Sequence, residues 1–380
     1  MPFASTGLPL LAALIGTFSL GYLMINLIPL LVGAVMDGLG LGPGPAGRLQ
    51  TAELMIFAAT ALLAPGRVVA QPARRLAVTA LALAAFAHGL AALAESFPVL
   101  LGARLLAGFS QGVLVAIANA VMARTADPDR TYALCFAVMY SGVCVLYAVM
   151  PLLTAPFQHL GAYGLLAALC LVIAPLLRAL PTGAPGAQER EGVARSRLGA
   201  RELLYLAGAV AFGVSDGLVW PFAERMGQSI GLAPQSIGRG LGVALLAALP
   251  ACYVIPGLRL RFGRLGLLLL AVAVNGVAGL VLTTAGGAVV YFGAAWLKTS
   301  AILFGIPYLI GTAARLDRTG RLATMTAGLF PLGVSLGPGA AGLVIERQGF
   351  AAAGVAALAT AGLSCVILAG VLRQGESRER

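Results

Sequence analysis

Lys298 is the only lysine in this chain, and it lies inside an apolar run at residues 288–310. A helix rises 1.5 Å per residue, so Lys298 lies roughly 15 Å along such a helix, near the middle of a ~30 Å hydrocarbon layer. A charge at that depth is costly unless it faces protein or water. Lys298 is therefore a candidate functional residue, able to act as a point charge toward an anion.

Further ionisable residues inside apolar segments include Glu53, Arg104 and Asp216. Asp216 and Glu53 are candidate proton carriers, because a carboxylate in a low-dielectric environment can bind a proton at physiological pH. We favour Asp216, which lies ~20 Å from the start of its helix by rise per residue. Glu53 lies nearer the membrane surface. The alternative for Arg104 is a structural ion pair with Glu53 or Asp216.

The composition is that of a membrane protein. Hydrophobic residues make up 59% of the chain and charged residues only 10%, against roughly 25% charged in soluble domains. The net charge of +11 comes from arginines scattered in short loops, which argues against nucleic-acid binding. The five cysteines all fall in apolar runs without a C-x-x-C pair. They therefore indicate neither a disulfide framework nor a zinc site. We expect no metal site and no cofactor.

Apolar segments long enough to cross a bilayer recur along the whole chain, and only helices suit their length. The first is predicted to be an uncleaved span. The predicted spans are 8–33, 47–64, 77–95, 98–122, 132–154, 161–179, 203–223, 237–256, 265–284, 288–312, 322–344 and 350–372.

The distribution of basic residues predicts the orientation of these spans. Of the 25 basic residues, nineteen fall in loops on the side of both termini and four on the opposite side, with Arg104 and Lys298 inside spans. Basic loops favour the cytoplasm. We expect both termini to be cytoplasmic in a multi-pass protein of the bacterial inner membrane.

An internal repeat divides the chain in two. The segment Gly40–Arg48 recurs as Gly231–Arg239 at an offset of 191 residues, each copy after the first span of its half. We predict an N-terminal six-helix half at 1–180, a cytoplasmic linker at 181–200 and a C-terminal six-helix half at 201–380. Two halves of the same topology are typical of transporters built from parallel repeats.

Loop motifs resemble those of the major facilitator superfamily. Residues 66–75 read G-R-V-V-A-Q-P-A-R-R and resemble the family's cytoplasmic pattern G-x-L-A-D-R-x-G-R-R, and residues 257–264 form a second copy. The family's aspartate is replaced by Ala70 and Leu260, which puts gating through that residue in doubt. The matching positions, predicted to form the gating loops, are Gly66, Arg74, Arg75, Arg261, Gly263 and Arg264.

Two further strings carry the resemblance. Residues 104–112 resemble the family's R-x-x-x-G-x-x-x-G pattern in the fourth span. The G-x-x-x-G-P string of many antiporters is absent from the fifth span, but a similar one occurs at 333–338 in the eleventh.

The resemblance implies an all-α fold of twelve transmembrane helices in two pseudo-symmetric bundles, which moves a small molecule by alternating access. Helices 1, 4, 7 and 10 of that family line a central cavity. One cation from each half then indicates an organic anion such as an aromatic carboxylate, with Arg104 suited to bidentate contact. We expect a monomer in the lipid bilayer, driven by the proton gradient. The predicted substrate-binding residues are Asn26, Arg104, Gln111, Tyr140, Trp220 and Lys298.

Other functions remain as alternatives. Proton-driven efflux of drugs or sugars uses the same fold, and a non-transporting sensor or assembly factor is a third possibility. The string at 108–112 matches the G-x-S-x-G of serine hydrolases, but it lies inside a membrane helix, where glycines four apart serve helix packing. His88 is predicted to be a packed, hydrogen-bonded residue, and His159 a loop residue. We therefore do not expect an enzyme.

Overall fold

The structure is a computed structural model that describes residues 7–64, 68, 70–183, 199–250, 259–317 and 320–376, with the backbone only at 259–264 and 372–376. None of these residues forms a β-strand, which confirms the predicted all-helical fold. Short 3-10 helices cover Ala174–Ala179 and Trp220–Phe222. The α-helices are α1 (Leu8–Leu39), α2 (Pro43–Leu63), α3 (Ala73–Ala92), α4 (Phe97–Met122), α5 (Pro128–Ile173), α6 (Ala200–Gly217), α7 (Ala223–Ser229), α8 (Pro234–Ala248), α9 (Arg259–Thr283), α10 (Ala288–Leu316), α11 (Arg321–Gln348) and α12 (Phe350–Glu376).

Nine helical segments within the described ranges are long and apolar enough to cross a membrane. One of them, Pro128–Ala179, has 52 residues and is broken at Gln158, whose φ of 50° is not helical. Gly161 lies against the carbonyl of Leu153, although residues eight apart in a straight helix are ~12 Å apart. The chain therefore reverses within α5, where two spans were predicted. His159, predicted in a loop, lies in this helical stretch.

The repeated sequence folds into the same local structure in both halves. Gly40 and Gly231 adopt left-handed backbone conformations, with φ of 62° and 80°, which glycine adopts without steric cost. Three residues later a proline begins the next helix, Pro43 for α2 and Pro234 for α8. Proline suits the first helical turn because its missing N–H would have no partner there. The predicted repeat is thus also a repeat of backbone conformation.

The contacts of the chain divide it into two compact units. We call Met1–Leu41 with Ala52–Arg190 the N-terminal unit, and Gly42–Thr51 with Glu191–Arg380 the C-terminal unit. The C-terminal unit thus includes Gly42 and the first nine residues of α2, 43–51.

In the N-terminal unit, α2 packs closely on α4, the helix that carries Arg104. A Cβ at Gly108 would lie 2.5 Å from the carbonyl oxygen of Glu53, and one at Gly112 would lie 2.7 Å from the Cβ of Thr60. Ser110 between them donates to the carbonyl of Leu106 on its own helix, at 2.7 Å. The G-x-S-x-G string is therefore a packing surface, and it brings Glu53 close to Arg104 one turn away.

In the C-terminal unit, α6 and α11 make a similar close contact. Gly213 of α6 faces the carbonyl of Phe330, and Gly333 of α11 faces the carbonyl of Val210. Side chains larger than hydrogen do not fit at such backbone contacts. The G-x-x-x-G-P string of the eleventh span thus holds α11 against α6, the helix that carries Asp216.

Helix α6 ends earlier than predicted. It stops at Gly217, and a 3-10 helix begins at Trp220. Asp216 and Trp220 therefore do not lie on one continuous α-helix, although both lie in the candidate membrane span Ala200–Ser229. The physical reason is Pro221, which lacks an N–H for the α-helical ladder and disfavours helical geometry in the residue before it.

Candidate functional site

Lys298 lies on α10 in the C-terminal unit and is 1% exposed. Its Nζ is 2.8 Å from Oδ1 of Asp216 on α6 and donates to Oδ1 of Asn275 on α9 at 2.8 Å. One ammonium group thus joins three helices. It is held by one charged and one neutral acceptor.

Asp216 is the more accessible partner of this ion pair. Its side chain is 14% exposed, whereas that of Lys298 is 1% exposed. The carboxylate lies in the last turn of α6, where the helix carbonyls disfavour negative charge. Lys298 offsets that effect by placing a positive charge 2.8 Å from the carboxylate.

Asn275 is a member of this site that sequence reasoning missed. Its Nδ2 donates to Oγ of Ser215 at 3.2 Å, and Ser215 in turn donates to the carbonyl of Ala357 on α12 at 2.8 Å. Asn275 is 1% exposed and Ser215 is fully buried. A polar residue in the predicted ninth span was a usable signal, because buried amides need partners.

The N-terminal unit contains a second ionic cluster, around Arg104 of α4. Nη2 of Arg104 contacts Oε1 of Glu53 from α2, and both side chains are buried, at 0% and 2% exposure. Nη1 lies 3.1 Å from Nδ1 of His88 on α3. The guanidinium carbon lies 4.6 Å above the ring of Tyr163 from α5, a cation–π geometry. Arg104 therefore pairs with Glu53, the structural alternative considered for it, rather than with Asp216.

The contacts of His88 determine its tautomer. Arginine has no acceptor, so Nδ1 of His88 must accept from Arg104 and a neutral ring then carries its proton on Nε2. That nitrogen lies 3.4 Å from Nε2 of Gln111, while Oε1 of Gln111 has no partner among the described residues. Exchanging the amide atoms of Gln111, whose assignment is set by the network, lets its oxygen accept from Nε2 of His88. His88 is therefore a neutral, hydrogen-bonded link between Arg104 and Gln111.

The remaining predicted binding residues lie outside both clusters. Asn26 donates through Nδ2 to the carbonyl of Tyr22 at 2.9 Å, and its own carbonyl accepts from Tyr147 at 2.8 Å. Tyr140 is half-buried and stacks on Phe136, with ring centroids 6.2 Å apart. Trp220 is half-buried as well. Within the described ranges, no three His, Cys, Asp or Glu side chains are grouped to hold a metal.

The sequence profile described as Major Facilitator Superfamily matches residues 13–316, most of the chain. This chain belongs to the major facilitator superfamily. It is accordingly an integral, multi-pass membrane protein of a transporter family. No curated protein sequence matches it.

Two crystal structures of the nucleoside transporter NupG share the fold of this facilitator. The D323A mutant aligns with a TM-score of 0.78 at 14% identity, covering 97% of this chain and 99% of the other. The second NupG structure gives 0.75 at 14% identity, with 97% and 98% covered. At this identity the likeness establishes the fold, and the predicted membership of the superfamily is confirmed.

The predicted gating loops of this facilitator are only partly described. In the first, Arg74 donates through its backbone N–H to the carbonyl of Pro181 and through Nε to that of Leu180, both at 3.0 Å. Arg75 is exposed. Gly66 lies outside the described residues. Of Arg261, Gly263 and Arg264 in α9, only the backbone is described. Arg74 thus anchors the start of α3 to the chain after the sixth predicted span.

The two ionic clusters have different chemical capabilities. In each, one cation faces one carboxylate, but the carboxylates differ in burial. In the Arg104 cluster both charged side chains are buried, at 2% exposure or less. The Lys298 cluster has one partly exposed carboxylate, so that it is the better placed to exchange a partner.

Proposed function

We propose that this facilitator transports a small organic anion together with a proton, and that Lys298 and Asp216 form the ionic part of its substrate site. The observation that carries the proposal is the asymmetric pairing of Lys298. One acceptor, Asn275, is a neutral amide, and the other, Asp216, is a partly exposed carboxylate. Only the second can lose its charge by binding a proton.

Protonation of Asp216 would leave the ammonium of Lys298 without a counter-charge. An uncompensated charge in a buried site is strongly unfavourable, so the site would then favour a substrate carboxylate in place of Asp216. A proton and a monoanion would enter together, and the site would stay neutral. Trp220, four residues after Asp216, would suit the ring of an aromatic carboxylate. Arg104 contributes less in this proposal, because Glu53 and His88 already bind it.

We propose further that the protein resides in a bacterial inner membrane with both termini in the cytoplasm. Nineteen basic residues in the loops on the side of the termini, against four on the other side, support this orientation. We propose no catalytic role, since the serine of the G-x-S-x-G string is fully buried inside α4.

A direct test uses purified protein in liposomes and radiolabelled benzoate as the probe, with and without an inward proton gradient. We expect Lys298→Ala to lower uptake at least about tenfold, the effect of losing one hydrogen bond to a charged group. Asp216→Asn is expected to abolish stimulation by the gradient. Thr299→Ala is the matched control, because Thr299 is a buried neighbour on α10 whose hydroxyl donates to the carbonyl of Ala295 on its own helix.

Uptake of benzoate and other carboxylates by Lys298→Ala at the wild-type rate would refute the proposal. A thermal-shift panel of organic acids, sugars and cationic dyes complements the transport assay. Stabilisation by carboxylates at low pH supports anion transport, whereas stabilisation by a lipophilic cation supports drug efflux instead.

Nucleosides are the second candidate substrate class. The likeness to NupG favours them, and so does the neutrality of both clusters, in which each cation is already paired. A nucleoside carries no charge and is bound through hydrogen bonds rather than by a free cation. Accumulation of labelled uridine but not benzoate in the same liposomes would decide for this class.

A further inference from the structure

The hydrogen bonds around Asn275 all run in one direction. Lys298 donates to Oδ1 of Asn275, Nδ2 of Asn275 donates to Ser215, and Ser215 donates to the carbonyl of Ala357. Each donor faces an acceptor, and the sequence of bonds ends on a backbone carbonyl. Asp216 also contacts Lys298 and is the residue next to Ser215 in α6. Lys298 and Asn275 therefore connect two consecutive residues of the same helical turn.

This direction fixes the orientation of the Asn275 amide. Turning the amide by 180° would place Nδ2 against the ammonium of Lys298, which has no acceptor, and Oδ1 against the Ser215 oxygen, whose proton is already donated to Ala357. Both contacts would fail in a site that is about 1% exposed. The amide oxygen therefore always faces Lys298, whatever the state of Asp216.

We propose that Asn275 is the residue that positions Lys298 for substrate. It keeps the ammonium in place when Asp216 loses its charge, so that the N–H that had faced Asp216 can donate to a substrate carboxylate. Without Asn275, the long lysine side chain would move away, since its four-carbon stem is flexible. The substrate anion would then meet a mobile cation.

The role in substrate binding rests on the proposed function, but the positioning itself is testable without substrate. Lys298 is the only lysine in the chain, so selective ¹⁵N-lysine labelling gives a single side-chain ammonium signal. Its hydrogen exchange with water reports whether the group is held. The baseline is Asp216→Asn, which removes the charge as protonation does.

We expect Asp216→Asn to retain one sharp, slowly exchanging signal. Adding Asn275→Leu, which keeps the size but removes the amide, is expected to speed exchange about tenfold. Ser364→Ala is the matched control, because Ser364 is fully buried and donates to Gly208 across the same pair of helices, α12 and α6, without touching Lys298. In the same background, Ser215→Ala is expected to speed exchange and Ser364→Ala to leave it unchanged.

Equal exchange rates in Asp216→Asn with and without Asn275→Leu would overturn the proposal. A broad or missing signal in Asp216→Asn alone would overturn it as well. Benzoate uptake then separates the two claims. If exchange responds to Asn275→Leu but uptake does not depend on Lys298, the positioning role stands and the proposed function fails. If anion transport holds, Asn275→Leu alone is expected to raise KM about tenfold with kcat little changed, because the cation is misplaced in binding.

Discussion

Replacing Glu53 by glutamine removes the charge opposite Arg104 and leaves the guanidinium uncompensated in a fully buried site. His88 at 3.1 Å and the ring of Tyr163 at 4.6 Å remain, but both already bind Arg104 in the wild type and cannot replace the lost charge. Breaking a buried ion pair costs about 3–5 kcal/mol. We expect the upper part of that range, since the two side chains are 0% and 2% exposed.

The comparison variant is Asp216→Asn in the other cluster. Asp216 is 14% exposed, and Lys298 keeps its bond to Asn275, so that the amide oxygen remains available to the cation. We expect a loss below ~3 kcal/mol, the upper value for a hydrogen bond to a charged group. Unfolding of the purified protein by sodium dodecyl sulfate, followed by circular dichroism and extrapolated to zero denaturant, measures both losses.

A double variant provides the internal check. Glu53→Gln combined with Arg104→Met removes both charges, and apolar residues of similar volume often replace a buried ion pair without loss of stability. We therefore expect the double variant to be more stable than Glu53→Gln alone. The reasoning is refuted if Glu53→Gln and Asp216→Asn lose equal stability, or if the double variant is no more stable than Glu53→Gln.

Three further outcomes are expected. Gly333→Ala should lower the free energy of unfolding by about 1–3 kcal/mol, because its Cβ would meet the backbone of α6. Gly362→Ala is the control and should leave that free energy unchanged, because there is open space at its Cβ. Unfolding in detergent measures both variants. Gly231→Ala should cost about 1–2 kcal/mol in the same measurement, because its φ of 80° is left-handed. The ¹⁵N spectrum of histidine-labelled protein should show His88 as a neutral ring protonated at Nε2, and a proton on Nδ1 would contradict the network.

Much of this arrangement could be predicted from the sequence. A charge inside an apolar run is rare enough to identify Glu53, Arg104, Asp216 and Lys298 without any structure. The glycine-containing repeat is likewise visible in the sequence, and its left-handed glycine followed by a helix-starting proline is a local property of the chain. Such features depend on neighbouring residues only, so that the sequence alone specifies them.

The pairing of the charges could not be predicted in the same way. Arg104 had two carboxylates as possible partners, and the choice depends on the close contact of α2 with α4 at Gly108, which is a tertiary feature. Asn275 became visible as a ligand of Lys298 only when α9 and α10 were placed together. The end of α6 before Trp220 was predictable in principle, because Pro221 is a local signal, but apolar character favoured a continuous span.

The two clusters differ in a property that bears directly on transport. A site that exchanges an internal carboxylate for a substrate must let protons and water reach that carboxylate, and it must hold the cation meanwhile. Glu53 is buried against Arg104. Protonation of Glu53 would therefore leave the charge of Arg104 uncompensated in a site that a replacement anion does not reach. Asp216 is partly exposed, and Lys298 has a second, neutral acceptor. The same pairing of charges thus favours a structural role in the N-terminal unit and an exchangeable one in the C-terminal unit.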